Sequence, residues 1–350
     1  VFTSGSTGVP KGVAACHRSV IDYIEQLSET LGFNEDTVFA NQTPLYFDAC
    51  LKEIYPTLKF GATTYIVPKS LFMFPVKLVE FLNEHKVNTI CWVVSALTMI
   101  SAFGTFKTVK PEYLKTIAFG SEVFPIRQFR IWRETLPEAS FTNLYGPTEG
   151  TIYCTAYRIP VTSCKHHNGM TAIGRPFEGI DALIMDNDGR PLPTGETGEL
   201  WISGNQVMGG YWNAPEKNGE CLVETANGKV YYKTGDLCRM DADGDIIYCG
   251  RKDSQIKIQG FRIELSEIEH VAKNFFNGEC RVVVIPKYDN GNQCELHLVV
   301  EKKQLDKQQM EEYLYSRLPY YMIPKHMHCL EQFPLNTSSK TDRKKIQELI

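Results

Sequence analysis

A segment rich in glycine and hydroxyl groups lies close to the first residue. It contains three glycines, four hydroxyl side chains and one lysine. In order it reads Thr3, Ser4, Gly5, Ser6, Thr7, Gly8, Val9, Pro10, Lys11 and Gly12. Glycines let backbone N–H groups turn toward an anion, hydroxyls donate further hydrogen bonds, and lysine adds a point charge. A Walker A loop is excluded, because a glycine follows the lysine where that motif has a hydroxyl residue. The segment predicts a polyphosphate-binding loop.

Two later segments carry groups that suit a nucleotide. Residues 145–149, Tyr-Gly-Pro-Thr-Glu, combine an aromatic ring, a rigid turn, a hydroxyl and a carboxylate of the kind that Mg²⁺ prefers. Asp236 lies in a Lys-Thr-Gly-Asp-Leu run over residues 233–237. Each segment alone is also compatible with an ordinary surface turn. Their order along the chain gives them weight.

Together these segments resemble the adenylate-forming superfamily of acyl-CoA synthetases, luciferases and peptide-synthetase adenylation domains. Besides the glycine-rich loop, five segments match that superfamily in order, namely residues 143–149, 232–236, 250–264, 318–324 and 339–343. Residues 47–50 and 121–125 look most similar to the amino-acid group. That group comprises adenylation domains of nonribosomal peptide synthetases and D-alanine:carrier-protein ligases.

The resemblance implies ATP and Mg²⁺ as cofactors. Glu149 would hold Mg²⁺ and Thr148 would contact the α-phosphate, so that both act in catalysis. Asp236 would accept hydrogen bonds from the ribose hydroxyls, with Arg251 as a second contact. The implied ATP-binding positions are Thr3, Ser4, Gly5, Ser6, Thr7, Gly8, Lys11, Asn143, Tyr145, Gly146, Thr148, Asp236 and Arg251.

Asp48 is the main evidence for an amino acid as substrate. By resemblance its carboxylate pairs with the substrate's α-ammonium, a group that fatty and aryl acids lack; the alternative is an exposed turn aspartate. Lys52 is unusual in an apolar pocket, because a buried ammonium needs a carboxylate from the substrate or from Glu53. An unchanged substrate preference in Lys52→Met would exclude a role for Lys52 in selecting the substrate. The implied side-chain pocket comprises Ala49, Lys52, Trp92, Ala118, Gly120, Leu144, Ile152 and Tyr153.

Four further positions acquire roles by resemblance. Lys340 matches the lysine that neutralises charge at the α-phosphorus, although Ser339 replaces the family's usual glycine; membership of a solvated basic cluster is the alternative. Asp253 matches the hinge of the small domain. Lys257 and Gly260 match residues that face the active site in the second half-reaction, with Gly260 lining the path of the thiol. The acceptor would be phosphopantetheine on a carrier protein.

The secondary-structure pattern predicts an α/β fold. Strand-like runs at residues 64–67, 89–94 and 115–119 alternate with amphipathic stretches at 19–31 and 75–84, which is typical of a layered α/β core. We predict an α/β part over residues 1–157, a β-rich subdomain over 158–251 and a small mobile α+β domain over 252–350. In the last part we expect a hairpin at 255–262, helices at 266–274 and 306–317, and strands at 281–286 and 295–301.

Composition narrows the class of partner. A net charge of −4 without a block of like charges argues against nucleic acid and anionic membranes as partners. No run of about 18 apolar residues occurs in the sequence, so we expect a cytoplasmic protein. The eleven cysteines show no C-x-x-C pair and no histidine spacing typical of zinc. A small-molecule amino acid and a carrier protein are the expected partners.

Two alternatives remain open. An acyl- or aryl-CoA synthetase would share the ATP motifs but use free CoA, and a non-catalytic descendant would bind nucleotide only. The superfamily's large domain also extends upstream of the phosphate loop, where this chain begins. We therefore expect this polypeptide alone to be poorly soluble or inactive, because missing strands leave sheet edges unpaired.

Overall fold

The computed structural model describes residues 1–3, 10–161, 164–167, 170–252, 255–288, 294–335 and 341–350. The chain divides into two compact units. The first contains Val1 and Gly12–Asp253, and the second contains Phe2–Lys11 and Ser254–Ile350. Because all four tryptophans, at positions 92, 132, 201 and 212, fall within the first unit, tryptophan fluorescence reports on that unit alone.

The described strands are named in chain order. They are β1 (Phe2–Thr3), β2 (Lys11–Gly12), β3 (Val38–Asn41), β4 (Thr63–Ile66), β5 (Thr89–Val93), β6 (Thr116–Gly120), β7 (Ser140–Tyr145), β8 (Thr155–Arg158), β9 (His166–His167), β10 (Met170–Thr171), β11 (Arg175–Pro176), β12 (Asp181–Met185), β13 (Gly198–Ser203), β14 (Leu222–Glu224), β15 (Val230–Met240), β16 (Ile246–Arg251), β17 (Gln255–Ile258), β18 (Phe261–Glu264), β19 (Val282–Tyr288), β20 (Cys294–Val300) and β21 (His326–Cys329).

The described α-helices are named in the same way. They are α1 (His17–Leu31), α2 (Leu51–Phe60), α3 (Pro75–Glu84), α4 (Val94–Ala102), α5 (Ile126–Thr135), α6 (Pro215–Cys221), α7 (Leu265–Phe275), α8 (Lys307–Tyr315) and α9 (Arg343–Leu349). Among the described residues, none of these helices has the length and apolar character needed to cross a bilayer.

Local sequence signals explain several helix boundaries. Helices α1 and α2 end at Gly32 and Gly61, which have φ angles of 72° and 68°, a conformation that glycine adopts without a Cβ clash. Helix α3 begins at Pro75, whose ring fixes a helical φ where no N–H partner is needed. The carboxylate of Asp306 caps α8 by accepting from the Gln309 N–H.

A seven-stranded sheet forms the centre of the first unit. Its strand order is β11-β8-β7-β6-β5-β3-β4; the pairs from β4 to β7 are parallel, and those joining β7, β8 and β11 are antiparallel. Helices α3, α4 and α5 contribute buried residues to the core on one face, and α1 contributes to the core on the other. The carboxyl ends of the parallel strands therefore share one edge, where ligands bind in open α/β sheets.

A five-stranded antiparallel sheet contributes to the second of these cores. Strands β12, β13, β15 and β14 lie in that order, and β16 also pairs with β15. Buried residues of β12, β13 and β15 join the core that α1 enters, as Ile184, Leu200 and Tyr232 show. The eleven-residue β15 thus has three strand partners and is firmly placed.

The second unit is an α+β structure. Strands β17 and β18 form a hairpin, and β19, β20 and β21 form a sheet in that order, with β19–β20 antiparallel and β20–β21 parallel. Helices α7 and α8 pack on one side of this sheet around Ile268, Met310 and Leu314. Ile346 of α9 belongs to a smaller cluster with Val283, Ile285 and Val299.

The predicted α/β class is confirmed. Strands β4, β5 and β6 and helices α1 and α3 fall where the periodicity predicts them, within two residues at either end. In the second unit the predicted hairpin, strands and helices are also present. The sequence did not predict β21 or α9. The three-part division at residues 157 and 251 stays a prediction.

Candidate functional site

Asp236 is the hub of a buried polar cluster in the first unit. Arg251 Nη1 donates to its Oδ1 at 2.6 Å, and the Tyr145 hydroxyl donates to its Oδ2. Tyr248 also hydrogen-bonds Asp236. Burial and the carboxylate raise the pKa of Tyr145, so its phenol stays protonated and donates. The structure thus brings together three residues predicted to bind ATP, with Tyr145 using its hydroxyl.

A β-bulge takes Asp236 out of the ladder with β13, while Asp236 stays paired with Arg251 of β16. Glu199 pairs with Leu237, and Trp201 pairs with Lys233. Two steps along β13 therefore correspond to four steps along β15, so that β15 contains two extra residues. Gly235, in the bulge, has a φ of 72°, which glycine tolerates. The Glu199 side chain accepts from the Gly235 N–H at 3.0 Å. The bulge therefore satisfies its own backbone and leaves the Asp236 carboxylate free for the cluster.

A second group of acidic and hydroxyl residues surrounds Asp48. Asp48 lies in a 3-10 turn ahead of α2, and Thr148 and Glu149 lie in another after β7. Burial raises the pKa of Asp48, and Glu149 adds to that effect, while a hydrogen bond with Thr148 and one from the Ala49 N–H, at 2.8 Å, oppose it. A half-buried carboxylate in such a place is stabilised by a cation.

Glu149 is fully buried and held in place. The Tyr211 hydroxyl donates to its Oε1 at 2.5 Å, and its backbone oxygen accepts from Met208 N at 2.8 Å. Burial, followed by the neighbouring carboxylate, raises the pKa of Tyr211 and keeps that hydroxyl a donor. A fixed carboxylate beside Thr148 is the hard oxygen donor that Mg²⁺ requires, so the residues fit this ion.

The turn after Glu149 is strained. Thr151 and Ile152 have φ angles of 56° and 76°, which are unfavourable for β-branched residues. The Thr151 hydroxyl donates to Gln206 O at 2.6 Å, and Cys154 N donates to Tyr145 O at 2.8 Å. These bonds hold the turn in a conformation that directs Ile152 into the core.

Most of the predicted side-chain pocket lies on one face of the central sheet. Ala118, Leu144, Ile152 and Tyr153 are buried together, and Ala49 packs against them. Gly120 adjoins the same face, because a Cβ there would lie 2.9 Å from Tyr153 Cε1. The structure therefore brings these six residues into one region.

Trp92 departs from this arrangement. It pairs in register with Phe119, packs on Phe72 and donates from its indole nitrogen to Ala40 O at 2.7 Å, all on the opposite face. Cys91, which pairs with Ala118, is the β5 residue on the pocket side. We therefore remove Trp92 from the expected pocket residues. Side chains alternate along a strand, and position 92 faces away from Ala118 and the other residues of the predicted pocket.

Lys52 is buried and already has a carboxylate partner. Its Nζ lies 3.4 Å from Glu53 Oε1 and donates to Thr43 Oγ1 and Ala49 O at 2.9 and 2.8 Å. The other Glu53 oxygen accepts from Asn41 Nδ2 at 3.1 Å. The sequence predicted either a substrate carboxylate or Glu53 as the partner of Lys52, and the structure shows Glu53 in that position.

The remaining ATP-binding positions are distributed as follows. Asn143 donates to Ala172 O at 2.9 Å. Gly146 has no room for a Cβ, which would lie 2.5 Å from Tyr153 Cα. Thr3 and Lys11 lie in the second unit, on β1 and β2, and the buried Thr3 Oγ1 has no hydrogen-bond partner among the described residues. A buried hydroxyl without a partner in the protein is suited to donate a hydrogen bond to a phosphate oxygen.

Several predicted residues fall elsewhere. Ser4, Gly5, Ser6, Thr7, Gly8, Asp253 and Lys340 lie outside the described residues. Lys257 is in β17 of the second unit, paired with Arg262. Gly260 has a φ of 81° in the two-residue turn joining β17 to β18, and this turn explains the glycine. Its predicted role toward a thiol stays a prediction.

Sequence reasoning missed the residues that hold the site together. Tyr211 and Tyr248 supply hydroxyls to Glu149 and Asp236, yet nothing in their local pattern indicates this. Gln206 is fully buried, and neither polar atom of its amide has a hydrogen-bond partner within the described chain. A Gly-Asn-Gln run in a loop gives no signal for such a residue.

Gly120→Ala is expected to damage the pocket. The new Cβ would lie 2.4 Å from Leu144 O, a backbone atom that can move only with β7. We expect a loss of about 1–3 kcal/mol in the stability of the first unit, with reduced activity, measured by urea unfolding followed by tryptophan fluorescence. Gly219→Ala is the control, since its Cβ meets nothing within 4 Å. Equal stability of the two variants would contradict the expectation.

Comparison with known proteins adds to this geometry. The model of the family described as AMP-binding enzyme matches residues 1–212. Tyrocidine synthase 3 of Brevibacillus parabrevis is 33% identical over 353 residues, which cover 99% of this chain and 5% of that protein. An L-proline–(L-prolyl-carrier protein) ligase of Pseudomonas fluorescens is 32% identical over 344 residues, covering 98% of this chain and 66% of the ligase.

Solved structures show the same likeness. The Vibrio cholerae adenylation domain AlmE, in complex with glycyl-adenosine-5'-phosphate, superposes with a TM-score of 0.87 at 27% identity. That likeness covers 100% of this chain and 65% of AlmE. The chain thus spans a little under two thirds of the length of this neighbour and of the proline ligase, and a small part of the synthase.

Proposed function

The chain belongs to the family of AMP-binding enzymes, and from that membership we propose that it activates an amino acid as its aminoacyl-AMP and transfers it to a carrier protein. The observation that carries the proposal is the position of Asp48. Its half-buried carboxylate hydrogen-bonds Thr148 and lies near Glu149. A site for an α-ammonium therefore adjoins the residues proposed to hold phosphate and Mg²⁺. The relatives support this, since two of their names refer to adenylation or to a carrier protein.

In the proposed reaction a substrate carboxylate oxygen bonds to the α-phosphorus of ATP, and the bond to the β-phosphate oxygen breaks. Pyrophosphate leaves and aminoacyl-AMP remains. Asp48 orients the amino acid through its ammonium, and Asp236 with Arg251 orients the ribose. Fixing both reactants in this way contributes much of the rate enhancement.

Charge develops on the phosphate oxygens during this step. Thr148 is proposed to donate to the α-phosphate, and the Lys340 ammonium is proposed to neutralise the attacking and bridging oxygens. Glu149, with its fixed orientation, is proposed to hold Mg²⁺. When bound, that ion supplies charge neutralisation to the phosphates.

The second half-reaction is proposed to pass the acyl group to the phosphopantetheine thiol of the carrier. The thiol loses its proton to solvent as its sulfur bonds to the acyl carbon, and AMP leaves as the bond between that carbon and the phosphate oxygen breaks. For this step Lys257, Gly260 and the hinge at Asp253 are assigned from sequence.

The test is amino-acid-dependent exchange of labelled pyrophosphate into ATP by the full-length protein. The panel contains twenty L-amino acids, D-alanine, and several fatty and aryl acids. We expect exchange with one or a few amino acids, lowered about 10²- to 10³-fold by Asp48→Ala, because a substrate ammonium would lose its partner. Lys340→Ala is expected to lower the rate strongly.

Two matched variants control for surface charge. Asp36→Ala and Lys344→Ala each remove an exposed charge to which no role in the reaction is assigned, and both are expected to leave exchange unchanged. Exchange with fatty or aryl acids alone would overturn the amino-acid proposal in favour of CoA synthesis. Silence across the panel with ATP still bound would indicate a non-catalytic protein.

A further inference from the structure

Three histidines and a glutamate converge on one face of the sheet in the second unit. Glu295 and His297 lie two residues apart on β20, and His326 and His328 lie two residues apart on β21. Parallel pairing places His297 against His326 and Val299 against His328. Because side chains alternate along each strand, all four point to the same side of the sheet.

The ligand atoms of three of these residues are close together. One atom from each of Glu295, His297 and His326 lies within 4.8 Å of the other two. His326 Nε2 and Glu295 Oε2 are 3.1 Å apart. Tetrahedral zinc with bonds of about 2.0–2.1 Å requires its ligand atoms to be about 3.3 Å apart. Metal binding at this place therefore requires the more distant ligand atoms to move closer together by about 1–2 Å, a distance that side-chain torsions can supply.

Neighbouring groups are placed to orient the ligands. Lys325 Nζ donates to Glu295 Oε1 at 2.8 Å and so fixes the carboxylate while Oε2 faces His326. His328 Nε2 lies 3.0 Å from His297 Nδ1, with the two rings nearly parallel. Bonds of this kind fix the ring orientation of metal-bound histidines.

We propose that Glu295, His297 and His326 form a binding site for a divalent transition metal, with zinc as the best match. Imidazole and carboxylate ligands suit zinc in tetrahedral sites. The fourth position belongs to water, because His328 is the hydrogen-bond partner of His297. Glu295 and His297 are half-buried and His326 is exposed, so an ion can enter from solvent.

The site has a structural role. Strand β21 is at the edge of its three-stranded sheet and pairs with β20 over four residues. A metal held by Glu295 and His297 of β20 and by His326 of β21 cross-links the two strands. The site uses no residue assigned to adenylation, so it stands or fails independently of the proposed function.

The test is metal binding by full-length protein that carries no polyhistidine tag and has been stripped with a chelator. Titration with Zn²⁺ is followed by calorimetry, and titration with Co²⁺ by the visible absorption of a tetrahedral site. We expect one ion per chain and a higher melting temperature of the second unit. His326→Gln, Glu295→Gln and His297→Ala each remove a direct ligand, so each is expected to lower the affinity by more than the roughly 10- to 100-fold that loss of an outer-sphere partner costs.

His270→Ala is the matched control, because His270 is an exposed histidine of α7 in the same unit. It should bind zinc like the wild type. His326 is 48% exposed on the edge strand, so His326→Gln tests the site even if His297→Ala fails to fold. Absence of binding by the wild type at micromolar metal, or unchanged affinity in His326→Gln and Glu295→Gln, would overturn the proposal.

Discussion

Replacing Asp236 by alanine is expected to lower kcat/KM for ATP in pyrophosphate exchange about a hundredfold or more. Each charge-assisted hydrogen bond to a ribose hydroxyl is worth roughly 1.5–3 kcal/mol, and two would be lost. The structure adds a second cost. Arg251 is only 14% exposed and would lose the carboxylate 2.6 Å from its Nη1. The measurements are exchange kinetics and urea unfolding followed by tryptophan fluorescence.

Asp181 offers a matched control on the same sheet. Its carboxylate also accepts from a tyrosine hydroxyl, that of Tyr231 at 2.6 Å, and from a cation, that of Lys229 at 2.9 Å. Asp181 is more exposed and lies in no segment that resembles an ATP motif. Asp181→Ala should therefore leave kcat/KM for ATP unchanged. A loss of stability in Asp236→Ala without a change in ATP kinetics would show that Asp236 is structural.

Lys52→Met is expected to destabilise the first unit by about 3–5 kcal/mol. The change leaves the fully buried Glu53 without the ammonium that compensates it, and breaking a buried pair costs more than removing both partners. Lys52→Met/Glu53→Gln should therefore recover much of the stability. The readout is again the urea midpoint by tryptophan fluorescence, with the exchange panel repeated on the single variant.

The stability lost in Lys52→Met should depend on pH, and the direction of that dependence can be predicted. Burial raises the pKa of Glu53 to about 7 from an ordinary 4.5, although Lys52 acts in the opposite sense. A raised carboxyl pKa favours folding most at low pH, and that contribution is lost as pH rises from about 4.5 through 7. Without Lys52, ionising Glu53 costs more, so the destabilisation should be larger at pH 8 than at pH 5.5.

The double variant tests this explanation. A glutamine side chain does not titrate, so the added pH dependence should disappear in Lys52→Met/Glu53→Gln. A destabilisation of Lys52→Met that is the same at both pH values would contradict the assignment to Glu53. An altered substrate preference in stable Lys52→Met protein would show that the pair also shapes the pocket.

Elements with strong local patterns could be predicted from sequence. The hairpin around Gly260 follows from alternating residues and a turn glycine, and α3 from apolar periodicity after Pro75. Strand β21 could not be predicted in this way, because four residues with two histidines give no clear pattern. Its pairing with β20 brings together residues about thirty positions apart. For the same reason the spacing of the histidines along the chain does not predict the cluster.

The candidate site shows the same limit. The carboxylate of Glu149 suits Mg²⁺ by its type, whereas the roles of Asp236 and Arg251 follow from the family resemblance; the structure brings Asp236 and Arg251 together. The hydroxyls that orient the two carboxylates come from partners 91 and 62 residues away. Trp92 was assigned to the pocket from its matched position, but strand register decides which face a side chain occupies. Contacts of this range depend on tertiary packing.

The bulge that presents Asp236 inserts an even number of residues into β15. Tyr232 before it and Cys238 after it consequently face the same core, as they would in an uninterrupted strand. Removing two residues at this point would make the pairing with β13 continuous and delete the carboxylate, whereas removing one would reverse the facing of half of the strand; either deletion would also break the pairing of Asp236 with Arg251 of β16. In evolution, we expect length changes at this point to be tolerated in pairs.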